Sequence, residues 1–324
     1  MLTSSSKLRP AYPQPRKTSR WFAASSCAAP GWLRLFALLM LTASICAAAQ
    51  ADCHQAHMVC VNVTVLDHTD RAIPGLEPEQ FVVLDNQGPE ALAYFSNADE
   101  PLSLIVVFDA TTGMTSKIDE KRKALRELIR RSNSKDELAL IVLHDEPQAV
   151  VHLGGSASEI ERIAGTIQAD GFGSLWDGMY LGMTELQNSH CRRQAMVVIS
   201  DGGDNYSRHA PSALTSLLQK TDVQLYAIGR FDWYAGRFPM RARALQVKEV
   251  TTMTGGRLLS GDDLSRAAAQ IAYELRHQYV LGFYPSYANR DCRWHELKVH
   301  LSGPVPTSKP RLYAKNGYLA LPER

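Results

Sequence analysis

The chain lacks the features that mark nucleic-acid-binding or membrane-spanning proteins. Its 324 residues hold 35 basic and 33 acidic side chains, so there is no excess of positive charge to attract a polyanion. One apolar run, at 35–49, is shorter than the roughly 20 residues that span a bilayer, and no other run is longer. We therefore predict no nucleic-acid partner and no stable membrane span in the mature protein.

The motifs of several enzyme classes are also missing. There is no phosphate-binding loop of the form GxxxxGK[ST], no GxGxxG after a strand and no GxSxG nucleophile elbow. Magnesium-dependent phosphatases are the main enzymatic alternative, since they carry two carboxylates, two residues apart, after the first buried strand. Here Asp109 holds the first position and Thr111 the second, so the usual acid–base carboxylate is absent. We expect binding, not catalysis, and no small-molecule substrate.

Cysteine is scarce, and two of the six cysteines precede residue 52. The four that remain are Cys53, Cys60, Cys191 and Cys292. They form no Cys-x-x-Cys pair, and their even number after export favours disulfides. Cys53 with Cys60 is the local option and would leave Cys191 with Cys292, but the sequence does not settle the pairing. The two histidines between Cys53 and Cys60 leave a small zinc site as the alternative.

Residues 1–51 have the pattern of an export signal. They contain six basic residues and no acidic one, and the apolar run at 35–49 ends in small residues. Residues 49–51 (AQA) fit the small-x-small cleavage rule, which makes Asp52 the expected mature N-terminus. An uncleaved membrane anchor is the alternative. We predict an exported protein, periplasmic or secreted.

Hydrophobic patterning divides the rest of the chain into three parts. Residues 52–100 form an expected N-terminal β segment, because short alternating runs are separated by turn residues. Residues 101–277 alternate strand and helix patterns, which predicts an α/β fold: a doubly wound, mostly parallel sheet with helices on both faces. Residues 278–324 return to alternating strands. We expect the two flanking β segments to pack together as one module.

The most informative stretch is 103–114 (SLIVVFDATTGM). Its apolar run predicts a strand buried on both faces, and ligands bind at the carboxyl ends of such strands. Asp109 and Thr111 follow this strand, Ser174 opens a helix after a glycine-rich turn, and Asp201 follows a second buried strand. Two carboxylates and two hydroxyls, completed by water, predict a Mg²⁺ site, with Mn²⁺ or Ca²⁺ as alternatives.

Four further segments, taken with this stretch, resemble the von Willebrand factor A domain, and within it the VWFA-related proteins of Acidobacteria. They are 171–178 (GFGSLWDG), 198–205 (VISDGGDN), 254–257 (TGGR) and 274–285 (ELRHQYVLGFYP). The resemblance covers residues 58–320 and implies a Rossmann-like A-type domain with a metal-ion-dependent adhesion site that binds a partner protein. It implies that Asp109, Thr111, Ser174 and Asp201 hold the ion, and that an acidic side chain of the partner completes its coordination.

One position departs from the family pattern. Gly113 stands where a second serine is expected, and glycine has no side-chain oxygen. A water molecule or Thr112 would have to supply the missing ligand. The alternative interpretation is a structural or scaffolding A-type domain with a degenerate, metal-free site, which binds partners through its surface.

Overall fold

The structure is a computed structural model that describes residues 58–86, 88–230, 238–285, 293–307 and 309–320. The expected export signal at 1–51 lies outside these residues, as do Cys53 and Cys292, so the cleavage site and the disulfide pairings stay predictions. Cys60 and Cys191 are not joined to each other. None of the described helices has the length and apolar character needed to cross a bilayer.

The described strands are numbered in chain order. They are β1 (Val59–Leu66), β2 (Phe81–Asp85), β3 (Gly88–Glu90), β4 (Leu92–Ser96), β5 (Leu102–Asp109), β6 (Glu137–Leu143), β7 (Gln148–Gly155), β8 (Arg193–Ile199), β9 (Gln224–Gly229), β10 (Leu258–Ser260), β11 (Gln278–Phe283), β12 (Trp294–Leu301), β13 (Arg311–Tyr313) and β14 (Gly317–Leu319).

The described α-helices are numbered in the same way. They are α1 (Ile118–Arg130), α2 (Ala157–Ala164), α3 (Leu175–Leu186), α4 (Pro211–Leu218), α5 (Phe238–Met253) and α6 (Leu264–Arg276). A short 3₁₀ turn, Thr112–Lys117, joins β5 to α1 and sets the start of that helix.

A six-stranded sheet forms the centre of the α/β part. Its strand order is β10-β9-β8-β5-β6-β7, and all neighbours are parallel except β7, which runs antiparallel to β6. The chain goes from β5 to β6 on one side and later to β8 on the other. Strand order therefore reverses at β5, and the crevice beyond the carboxyl ends of β5 and β8 is where such sheets bind ligands.

Helices cover both faces of this sheet, as the patterning predicts. Every residue of β5 is buried, because alternate side chains enter two different cores. Leu104 and Val106 face a core built with α1, α2 and α6, whereas Ile105 and Val107 face one built with α3, α4 and α5. Each such side chain contributes about 1.5–3 kcal/mol by leaving water, so burial on both faces fixes β5 at the centre of the fold.

The flanking β segments form a two-sheet sandwich. One sheet has the order β13-β1-β11-β4 and the other β14-β12-β2-β3, so each contains strands from both ends of the described chain. Val61 and Tyr279 from the first sheet meet Phe81 and Leu297 from the second in a shared apolar core. The expectation that these segments pack together is confirmed. β11 starts two residues after α6 ends, which ties the sandwich directly to the α/β sheet.

Candidate functional site

Asp109, the last residue of β5, lies at the centre of a buried polar cluster. Its carboxylate is almost completely enclosed and accepts hydrogen bonds at both oxygens. Oδ1 accepts from the backbone nitrogen of Thr111 (3.1 Å) and from its Oγ1 (2.8 Å). Oδ2 accepts from the Oγ of Ser200, 2.6 Å away. Asp109 therefore joins the ends of β5 and β8 across the crevice.

A lysine that the sequence analysis did not single out completes this cluster. Lys121 lies in the first turn of α1 and points back toward the carboxyl end of β5, because helical side chains lean toward the helix N-terminus. Its Nζ donates to the backbone oxygen of Asp109 (3.0 Å) and lies 3.3 Å from Oδ2. The Lys121 and Asp109 side chains are each only 2% exposed, so this ion pair is shielded from bulk solvent.

The electrostatics of the pair follow from burial and mutual attraction. Burial raises the pKa of the Asp109 carboxyl, but the Lys121 ammonium and the hydroxyls of Ser200 and Thr111 outweigh it and hold that pKa below its ordinary value. Burial lowers the pKa of the Lys121 ammonium, and the charges of Asp109 and Asp201 offset only part of this. The 3.3 Å separation of Lys121 Nζ from Asp109 Oδ2 is that of an ion pair, so the chain itself supplies a partner for this carboxylate.

Asp201 and Ser174 lie at the same edge but are engaged differently. Asp201 follows β8, is half-buried, and accepts from the backbone nitrogen of Gly203 (3.2 Å) through Oδ1. Ser174 is fully buried, and its Oγ donates to the backbone oxygen of His144 (2.8 Å). The structure therefore brings Asp109 and Thr111 into direct contact, while Ser174 is bonded to the β6–β7 turn.

Backbone hydrogen bonds hold the surrounding loops together. The nitrogen of Thr112 donates to the oxygen of Gly171 (3.1 Å), and the nitrogen of Tyr206 donates to the oxygen of Gly173 (2.8 Å). Gly173 permits the second contact, because a Cβ there would lie 2.7 Å from the oxygen of Gly203. The loops after β5 and β8 are thus both bonded to the 171–174 turn, which forms a single surface at this edge.

Two other acidic residues near the site accept hydrogen bonds from backbone nitrogens of the surrounding segments. Asp204 Oδ1 accepts from the backbone nitrogen of Leu175 (2.9 Å), so it caps α3 from a distance. Asp177 accepts from the backbone nitrogens of Arg208 and His209. Neither makes a described contact with Asp109, so both act in holding the 204–209 loop against α3.

A pair of exposed aromatic rings lies on the outside of this surface. Phe172 is 60% exposed and Tyr206 is 53% exposed, more than any other large hydrophobic side chain that the structure describes. Their ring centroids are 6.1 Å apart and their planes differ by 21°, so they stack. We call these two residues the aromatic pair. They are 34 positions apart in sequence, and no local pattern joins them.

The residues present do not suit the predicted magnesium ion well. Both oxygens of Asp109 are already hydrogen-bonded, and its charge is met by Lys121. Gly113 adds no oxygen, although a Cβ at that position would meet no atom within 4 Å. Mg²⁺ prefers six oxygen ligands, and a cation beside the site repels it.

No protein-family model matches the chain, and no curated protein matches its sequence. Solved structures of similar fold include a von Willebrand factor type A protein from Catenulispora acidiphila, at 9% identity and TM-score 0.47, covering 80% of this chain and 73% of that one. An aerotolerance-related membrane protein from Bacteroides fragilis matches at 13% identity and TM-score 0.43, and the match covers 54% of this chain and 98% of that one. A mutant of the PilB minor pilin from Streptococcus sanguinis matches at 13% identity and TM-score 0.45, and the match covers 56% of this chain and 63% of that one. At these values the likeness is one of fold alone.

Proposed function

We propose that the chain is an exported von Willebrand factor A-type protein that binds another protein through the carboxyl edge of its six-stranded sheet. The motif resemblance and the reversal of strand order at β5 support the family, and the N-terminal leader supports export. The observation that carries binding is the aromatic pair. Large exposed rings on a rigid loop surface are typical of residues that a partner buries.

The mode predicted from the sequence is a magnesium bridge, in which an ion held at Asp109, Thr111, Ser174 and Asp201 receives an acidic side chain of the partner. The buried Lys121 disfavours that mode, because it already neutralises Asp109. We therefore propose the metal-free alternative, in which the partner contacts the aromatic pair and the loop surface around it. Binding rather than turnover fits Thr111, which stands where a phosphatase would carry its second carboxylate.

Photo-crosslinking in the cells that produce the protein tests this proposal. A benzophenone amino acid replaces Tyr206, and in a second strain it replaces Trp294, which is 37% exposed on the sandwich. We expect a discrete crosslinked species from position 206 and none from position 294. The species should disappear when Phe172→Ser is added, since that change removes the second ring of the pair. A species formed equally from both positions would contradict the proposal.

Chelation separates the two binding modes. If the partner contacts the loop surface without a metal, crosslinking at position 206 survives EDTA and survives the return of Mg²⁺ unchanged. If crosslinking is lost with EDTA and also lost in Asp109→Ala, the magnesium bridge is the correct mode. The Asp119→Ala variant, which removes an exposed carboxylate at the start of α1, serves as the matched control.

A further inference from the structure

The predicted metal site contains a positive charge of its own. Lys121 Nζ contacts both the backbone oxygen and the Oδ2 of Asp109, and the charge of Asp201 also acts on this ammonium. These are the two carboxylates that a divalent cation would need. A buried ammonium is retained only where carboxylates face it, so the position of Lys121 is matched to this pair of acids.

The same arrangement opposes a divalent ion. An ion bound between Asp109 and Asp201 would lie close to an ammonium that water does not screen, and repulsion between like charges is strong in such surroundings. The Lys121 ammonium thus lies beside the carboxylate of Asp109, which would otherwise attract a cation from solution.

The missing ligand at Gly113 fits this interpretation. The chain lacks the hydroxyl that a bound ion would use, and it supplies the charge that the ion would bring. The space beside Gly113 is open, so packing does not explain the absence of a side chain there. Both departures, the glycine after β5 and the lysine in α1, weaken the binding of a divalent cation.

We propose that the Lys121 ammonium replaces the divalent cation of this site, so that the carboxyl edge is closed by an internal ion pair and becomes a metal site only when Lys121 is removed. This inference rests on the proposed function only because both concern the carboxyl edge of the six-stranded sheet. The partner then meets a surface whose shape does not depend on dissolved metal.

Lys121 lies on the apolar face of α1 together with Ala124, Leu125 and Leu128. A shorter neutral side chain at this position would leave the Asp109 carboxylate without the cation that it now contacts. Hard oxygen ligands in that state attract Mg²⁺ or Mn²⁺. The site thus contains the oxygen donors of a metal centre, and Lys121 prevents a metal ion from binding to them.

Metal titration of the purified chain tests this inference, with Mn²⁺ as the probe and calorimetry as the measurement. The native chain should bind no Mn²⁺ that depends on Asp109. The Lys121→Ala/Gly113→Ser variant should gain affinity by about tenfold or more, because a like charge is removed and a hydroxyl added beside the ion. Lys123→Ala/Gly113→Ser is the matched control, since Lys123 is exposed on the same helix and its loss should change nothing.

Thermal unfolding provides the second measurement. Lys121→Ala should be less stable than the native chain in EDTA and should recover part of that loss in Mn²⁺, whereas the melting temperature of the native chain should be the same in both. If the alanine variant does not fold, Lys121→Gln replaces it in this test, because glutamine is only one bond shorter than lysine and keeps an N–H donor without the charge.

Two results would overturn the inference. One is Asp109-dependent Mn²⁺ binding by the native chain with Lys121 in place. The other is a folded Lys121→Gln/Gly113→Ser variant that binds no more Mn²⁺ than the native chain. Neither measurement involves a partner, so failure here leaves the crosslinking result at Tyr206 standing, and failure of the crosslinking leaves the metal result standing.

Discussion

The side-chain amide of Gln278 donates to the Oε1 of Gln224, 2.9 Å away, and this bond joins the first strand of the sandwich after α6 to the six-stranded sheet. The same nitrogen lies 3.0 Å from the Oγ1 of Thr64 in β1, and the Gln278 oxygen accepts from Arg193 of β8 at 2.7 Å. One buried residue therefore bonds to strands of both parts of the molecule.

Replacing Gln278 by alanine should destabilise this junction. Each buried partner left unpaired costs about 1–3 kcal/mol, so the loss in the free energy of unfolding should exceed that of an ordinary surface change. Urea unfolding measures it, with Gln148→Ala at an exposed position of β7 as the control. Equal stability of the two variants would show that the amide network contributes nothing to the junction.

Gly173 should be intolerant of any side chain. A Cβ there would lie 2.7 Å from the backbone oxygen of Gly203, and that contact cannot relax without moving the loop after β8. Gly173→Ala should therefore lower stability by about 1–3 kcal/mol, as overpacking does. It should also reduce crosslinking at Tyr206, whose nitrogen donates to the oxygen of Gly173. Gly113→Ala is the control, because no atom lies within 4 Å of its new Cβ.

Local patterns were sufficient to predict the sheet and its edge. The apolar run ending at Asp109 predicts a strand buried on both faces, and β5 is buried along its whole length. Alternation in the flanking segments predicts the sandwich strands, although it does not give their partners. These predictions succeed because the spacing of apolar residues along a helix or a strand follows directly from the geometry of that element.

The charge at the site could not be predicted in this way, although one signal was present. Lys121 lies three and four residues before Ala124 and Leu125, on the stripe that α1 buries. A lysine on an apolar stripe is a hint of a buried partner, but only the tertiary structure shows that the partner is Asp109. Phe172 and Tyr206 gave no such hint, since the bonds to Gly173 bring them together.

Asp204 should control the start of α3. Ser174 precedes that helix but makes no capping bond with its side chain, and its hydroxyl donates to the backbone oxygen of His144. Asp204 supplies the cap to Leu175 instead. Asp204→Ala should cost about 0.5–2 kcal/mol, the usual value for a lost cap, and should reduce crosslinking at Tyr206. Asp263, the cap of α6, is the control: Asp263→Ala should cost a similar amount and leave crosslinking unchanged.

Glu274 gives the molecule a pH dependence whose direction can be stated. Burial raises the pKa of the Glu274 carboxyl, and the Arg257 guanidinium that binds it opposes the rise without cancelling it. The native chain therefore binds more protons than the unfolded chain between the ordinary pKa and the raised one. The stabilising contribution is present in full below the ordinary pKa of about 4.5, and it is lost as the pH rises through the raised value.

The Glu274→Gln variant should remove this dependence, because a neutral amide does not titrate. Its free energy of unfolding, minus that of the native chain, should increase as the pH rises from about 4 to about 8, because only the native chain loses stability over that range. Urea unfolding across that range measures the difference. Glu161→Gln, at an exposed position of α2, removes the same charge without the burial and should follow the native profile. If the Glu274→Gln and native profiles run parallel, the pKa of Glu274 is the same in the native and unfolded chains, and Arg257 fully offsets its burial.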